Sequence, residues 1–298
     1  MTAKFRTFAA AAGFGLTAGL ASAQTALEDL PIVGAPVDGA TGFQPAASKL
    51  ARDLQWLDGL ILVIITAITL FVLALLAWVI LRYNQKANKE PARFTHNSPL
   101  EIAWTVVPIV VLVFIGAFSL PVLFDQQEIP EGEVYVNVTG NQWFWTYEYP
   151  EEDVTFESRM IGGPSYFADG DWQSGTNRPM PDTISHLELA GYGADEFGLA
   201  TDTAVVVPVG RVVVMSVTGA DVIHSWTIPS FGVKQDAVPG RHAQLWFEAE
   251  QEGIYFGQCS ELCGKDHAFM PITVKAVSEE VYAQWLDRVR TDDAYQAW

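Results

Sequence analysis

Leu57-Asp-Gly-Leu-Ile-Leu-Val-Ile-Ile-Thr-Ala-Ile-Thr-Leu-Phe-Val-Leu-Ala-Leu-Leu-Ala-Trp-Val-Ile-Leu81 carries one charge, Asp58, at its very start. At about 1.5 Å per helical residue, such a run crosses a hydrocarbon core about 30 Å thick. A second run, Ile102 to Phe124, holds no charge, although Pro108 and Pro121 interrupt it. Transmembrane helices tolerate proline where neighbours re-satisfy the backbone. Trp56, Trp78, Tyr83 and Trp104 lie near the run ends, where amphipathic rings favour the interface. The sequence therefore predicts a transmembrane hairpin over 56–125, with helices at about 57–81 and 102–124. The loop between them holds Arg82, Lys86, Lys89 and Arg93 against Glu90, and the far flank is acidic (Asp125, Glu128, Glu131, Glu133). Positive loops stay in the cytoplasm, so both termini are expected outside.

The start of the chain agrees independently. Lys4 and Arg6 precede a short apolar stretch from Phe8 to Leu20, and Ala21-Ser22-Ala23 offers a small-residue cleavage site before Gln24. Residues 1–23 read as an export signal. Residues 24–55, with Pro31, Pro36 and Pro45, read as an extended exported segment with little structure of its own.

From about 130 to 298 the texture changes to short β runs between turn signals: Val134–Tyr149 broken at Gly140-Asn141, then Ala204–Val209, Val212–Thr218, Ile223–Ile228, Ala243–Ala249 and Ile272–Ala276. Regular short strands predict a sandwich or barrel. Residues 158–198 lack periodicity and read as a long surface insertion. Ser278–Arg290 reads as an amphipathic helix with Val281, Trp285 and Val289 on one face. The expected fold class is membrane-anchored all-β.

The chain carries 35 acids against 17 Lys and Arg, for a net charge of -18. Such a chain does not seek nucleic acid or an anionic surface. Counting 125–298 alone gives 28 acids and 9 Lys or Arg, a net of -19, so the excess acid belongs to the exported side.

The two cysteines are too few for a disulfide scaffold. They stand in Cys259-Ser-Glu-Leu-Cys263-Gly-Lys-Asp-His267-Ala-Phe-Met270-Pro271, a soft set of two thiols, an imidazole and a thioether. His224 offers a second imidazole from an upstream strand. Thiolate and thioether favour Cu(I), and imidazole suits both copper states. Two thiolates able to bridge point to a dinuclear copper centre. A Cys259–Cys263 disulfide is the rival in an oxidising compartment, but leaves His267 and Met270 unexplained. Zinc is a second rival, though it rarely recruits Met.

This loop resembles the copper signature of cytochrome c oxidase subunit II. His224-Ser-Trp226-Thr-Ile-Pro229, Lys234-Gln-Asp-Ala-Val-Pro239-Gly240-Arg241 and Gln142-Trp143-Phe-Trp145 resemble that family's ligand strand and aromatic segment. The resemblance spans about 50–290. It implies a cupredoxin-like β-barrel holding two copper ions, with Cys259 and Cys263 bridging, His224 and His267 terminal, Met270 a weak ligand and Glu261 ligating through its carbonyl. It implies that the Glu261 carboxylate binds magnesium shared with the catalytic subunit. Trp143 would take up electrons from cytochrome c, against the plainer reading of a packed aromatic. Glu101 would stand at the cytoplasmic entrance of a proton path, against the plainer reading of a helix-start carboxylate.

The expected function is an electron-transfer subunit of a respiratory oxidase in the bacterial inner membrane. Its partners would be the haem-bearing subunit I, other oxidase subunits and cytochrome c, because the chain has no haem motif. Quinol oxidase relatives lack the copper ligands, nitrous-oxide reducers carry a His-rich catalytic domain, and copper carriers need exchangeable sites. Glu148, Glu157, Asp202 and Asp221 are candidate docking acids for a basic donor. His96, His186 and His242 read as surface or packing residues.

Overall fold

The computed structural model describes residues 27, 29–90, 92–166 and 181–291, with the backbone alone at 181 and 182. The signal-like residues 1–23 lie outside them. The described chain forms two compact units, residues 53–127 and the remainder.

The first unit is helical. Helix α1 (Lys49–Arg82) and helix α2 (Ser98–Gln127) are both longer than their apolar runs, and both are long and apolar enough to cross a membrane. At α2 the Asn97 side chain accepts the Leu100 N–H (3.2 Å), and Glu101 accepts the Asn97 N–H (3.1 Å). This reciprocal cap satisfies donors the helix leaves open.

The second unit is a β structure in two sheets and a hairpin. Strands β2 (Val134–Asn141), β3 (Phe144–Tyr149), β4 (Val154–Ser158), β6 (Val212–Gly219) and β9 (Ala243–Glu248) form a sheet in the order β4-β3-β2-β6-β9. A second sheet has the order β1-β10-β11-β5, from β1 (Ile32–Gly34), β5 (Val205–Pro208), β10 (Gly253–Gln258) and β11 (Pro271–Val277). Strands β7 (His224–Ile228) and β8 (Val233–Ala237) pair with each other. The β architecture is as expected, but two sheets and a hairpin replace a single closed ring of strands among the described residues. Alternation builds the core: Val134, Val136 and Val138 of β2 and Trp145, Tyr147 and Tyr149 of β3 all point inward.

Three expectations change. The described part of 24–55 is not loose: β1 pairs in parallel with β10, Leu27, Ala47 and Leu50 are buried, and Ala51 of α1 packs at Gly232. A three-residue strand without alternation leaves no sequence signal. The break after β2 falls at Gln142-Trp143, two residues past Gly140-Asn141. The insertion is also ordered where described. It contains helix α3 (Pro181–Leu189), and its Ile161, Leu187, Ala190 and Tyr192 cluster with Ala200 and with Ile254 and Phe256 of β10. The last helix, α4 (Glu279–Thr291), buries Tyr282, Trp285 and Leu286 close to the expected face.

Candidate metal centre

Strands β10 and β11 are antiparallel, and their final pair, Gln258 and Pro271, closes the 259–270 loop at its base. Within that loop Cys259 N–H faces the Met270 carbonyl (3.4 Å). Next to it runs β7. A Cβ on Gly257 would lie 1.8 Å from the Thr227 carbonyl, so only glycine lets the strands come so close. Ser260 N–H then donates to the Ser225 carbonyl at 3.0 Å, which sets the loop beside His224. On the other side of His224, a Cβ at Gly140 would meet the imidazole at 2.8 Å. Gly140 therefore clears space for the ring, and Gly257 for the strand that carries it.

The two thiols are free, and their Sγ atoms lie 3.9 Å apart, far beyond the roughly 2.05 Å of a disulfide. Cys259 Sγ lies 4.0 Å from His224 Nδ1 and 3.3 Å from the Glu261 carbonyl oxygen. Cys263 Sγ lies 3.5 Å from His267 Nδ1 and 3.4 Å from Met270 Sδ. The ligating atoms of His224, Cys259 and Cys263 fall within 4.8 Å of one another, all three residues buried. His267 is half-buried and Glu261 exposed.

Electrostatics make the pair ask for a cation. Burial, then the charge of Cys259, pushes the Cys263 thiol up to about 12. Burial also opposes ionisation of Cys259, but contacts with His224 and the backbone of Glu261 and Ser225 outweigh it and bring that thiol below its usual range. The pocket alone thus favours one thiolate, and a second needs bound positive charge. Soft sulfur donors, two imidazoles and this demand fit copper.

The surroundings hold the donors in place. His224 Nε2 donates to Asp221 Oδ1 (2.9 Å), leaving Nδ1 toward Cys259. Such a partner fixes tautomer and ring orientation. Asp221, expected as a docking acid, therefore also positions a ligand; its spacing of three residues from His224 was the available signal. Its other oxygen accepts the Gln142 N–H (2.8 Å). The Cys263 carbonyl receives both Gln142 Nε2 (3.0 Å) and Trp143 Nε1 (3.2 Å), and Trp145 Nε1 donates to the Met270 carbonyl (3.2 Å). Trp143 is half-buried in the β2–β3 turn, packed against the edge of the core that holds Trp145, Tyr147 and Tyr149.

The remaining expected residues lie elsewhere. Glu148 is exposed and bonded to Asn137, and Glu157 is exposed and paired with Arg159. Asp202 corrects its expected docking role: it is 8% exposed, its carboxylate accepts the Arg159 N–H (2.8 Å), and burial raises its pKa to about 6. A sequence-level charge count cannot distinguish such an acid from a surface one. Sequence reading also missed Gln142, Lys265 and Gly140, whose partners lie across the fold.

The chain matches the family "Cytochrome C oxidase subunit II, transmembrane domain" over residues 36–122 and "Cytochrome C oxidase subunit II, periplasmic domain" over 185–277. It is 64% identical over 276 residues to cytochrome c oxidase subunit 2 of Cereibacter sphaeroides, covering 93% of this chain and 88% of the relative. It is 37% identical over 253 residues to the Arabidopsis thaliana protein of the same name, covering 82% of this chain and 87% of that one. The solved periplasmic domain of subunit II of cytochrome oxidase from Bradyrhizobium japonicum is 38% identical, covering 54% of this chain and 96% of that structure, with a TM-score of 0.42. By both matched regions and by its identity to the Cereibacter sphaeroides and Arabidopsis thaliana proteins, the chain belongs to the cytochrome c oxidase subunit II family.

Proposed function

We propose that Cys259 and Cys263 jointly hold two copper ions, with His224, His267, Met270 and the Glu261 carbonyl completing the set. The family places the chain in a haem-copper oxidase as its electron-transfer subunit, with a copper centre in a periplasmic domain on a membrane anchor. The observation that carries the finer reading is the pair of free thiols 3.9 Å apart, each with an imidazole near it. A bound copper pair supplies a one-electron relay between a soluble donor and haem in the catalytic subunit. The chain's own residues do the rest. Asp221 orients His224, while buried Met270, against Cys263 Sγ, and Trp145, bonded to the Met270 carbonyl, keep water from that sulfur.

Trp143 takes up electrons from cytochrome c. Support comes from its half-exposure together with its indole N–H on the Cys263 carbonyl, a short path from surface to ligand. Glu148, Glu157 and Asp221 steer a basic donor, and the exposed Glu261 carboxylate joins a magnesium ion shared with the catalytic subunit. Residues 1–23 export the chain, and both termini lie on the periplasmic side. Glu101, besides capping α2, stands at the cytoplasmic entrance of a proton path.

The test is metal analysis and spectroscopy of the purified oxidase. Two copper ions at this subunit, sharing one unpaired electron when oxidised, are expected; one copper or a Cys259–Cys263 disulfide overturns the ligand set. Met270→Leu should shift the potential yet retain copper, because a thioether is a weak ligand. Trp143→Phe should slow electron transfer from cytochrome c at nearly unchanged KM, whereas a wild-type rate returns Trp143 to packing.

A further inference from the structure

The ring proposed for electron uptake carries a cation on its face. Lys265 Nζ lies 4.7 Å from the Trp143 ring centroid. The geometry is built into the loop. Gly264 has φ +128°, a conformation that L side chains rarely adopt, and a Cβ there would lie 3.0 Å from Trp143 Cζ2. Glycine thus lets the loop turn tightly against the indole and bring the next side chain over it.

Lys265 pairs with Asp266, and the exposure within the pair is lopsided: 72% for the lysine side chain and 12% for the aspartate. An approaching molecule meets the ammonium and not the carboxylate. A second pair, over the residue that follows Trp143, has the opposite bias. Arg159, over the Phe144 ring, is 25% exposed, while its partner Glu157 is 51% exposed, so that pair presents its acid. Asp221, at 35%, adds another acid to the same turn through Gln142. In a domain with such an acid excess, the outward cation sits at the ring where close approach matters most.

We propose that Lys265 is a donor-selecting residue. Its ammonium weakens docking of donors that bring a positive side chain to the Trp143 face and favours donors that present an uncharged patch there, with their cations placed around it. Unlike charges attract over the surrounding acids, and like charges at the centre penalise a misplaced partner, so specificity arises from the repulsive element as well as the attractive ones. Orientation is thereby set as well as affinity, because a basic donor gains most when its cations straddle Lys265. The proposal rests on the reading of Trp143 as the uptake residue.

The experiment compares steady-state kinetics of the intact oxidase with two probes, a lysine-rich basic cytochrome c and an acidic cytochrome c, across ionic strength. Lys265→Gln should lower KM for the basic probe by about two- to fivefold at low salt, the range of a single exposed charge pair. It should raise KM for the acidic probe, with kcat and the copper spectrum unchanged and the difference fading as salt rises. Lys265→Glu should enlarge both shifts, and Lys265→Arg should behave as the unaltered protein. KM values that stay put for both probes, or move in the same direction for both, overturn the proposal, since a packing role has no charge sign. Trp143→Phe run alongside separates the two readings. If it transfers electrons at the normal rate, Trp143 is not the uptake residue whatever Lys265 does. If it is slow while Lys265→Gln leaves KM unmoved, selection by Lys265 alone fails.

Discussion

The helical hairpin and the β unit bury their large apolar side chains in opposite directions. Along α1 and α2, Leu70, Phe71, Leu112 and Val113 are all more than 60% exposed, and the apolar windows have no buried residues in the described chain. In the β unit Trp145, Trp226, Phe247 and Tyr255 are fully buried. One rule explains both, since each surface matches its solvent: lipid outside the hairpin, water outside the sheets. The same residue type therefore carries different meaning in the two regions.

The contrast is sharpest for truncation. Trp226 stacks on Phe247 with ring centroids 6.3 Å apart, and its indole N–H donates to the Tyr147 hydroxyl (3.2 Å). Trp226→Ala should cost about 3–5 kcal/mol in denaturant unfolding of the β unit, through the cavity and the orphaned hydroxyl. Leu70→Ala, on a side chain that is 61% exposed, should leave the yield of membrane-inserted protein nearly intact. Comparable losses in both places would break the contrast. Charge should reverse the ranking. Leu70→Lys near the middle of α1 should cost about 2.5–3.5 kcal/mol of insertion, read as lost membrane-integrated protein. A lysine on the water-facing side of the β unit should be nearly silent.

A subtler effect concerns a carboxyl that violates the rule on the water side. Asp202 is buried, and its folded-state pKa of about 6 lies above the ordinary 3.8. A raised value means the folded protein binds the proton more tightly. The resulting stability is complete below about pH 4 and is lost as pH rises through about 6, on the order of 2–3 kcal/mol in all. Asp202→Asn keeps an acceptor for the Arg159 N–H and should flatten the change of melting temperature between pH 4 and 7. Parallel curves for the two proteins would assign the proton to another group.

Legibility in the sequence follows from how local each signal is. The apolar runs of α1 and α2, the alternation of β2 and β3, and the spacing from Cys259 to Met270 all lie within a short window, and each was readable. The true start of α1 at Lys49 was not, because Arg52, Asp53 and Gln55 separate its buried Leu50 and Ala51 from the long apolar run. Strand β1 depends on a parallel partner more than two hundred residues later, and Lys265 gains its meaning only beside Trp143. Asp202 failed for the same reason: acidity is visible in one dimension, burial is not.

The bonds that Gln142 and Trp143 make to the Cys263 carbonyl span 121 and 120 residues. Contacts that distant pay a large loop-closure entropy and form late. During synthesis the β2–β3 turn leaves the membrane long before the cysteine loop exists. The pocket is therefore completed only after nearly the whole domain has been made, and the site can hold metal only once the C-terminal strands are in place. Delay in closing β10 onto β11 would lengthen the interval in which a thiol-bearing chain waits outside the cell's reducing interior without its metal.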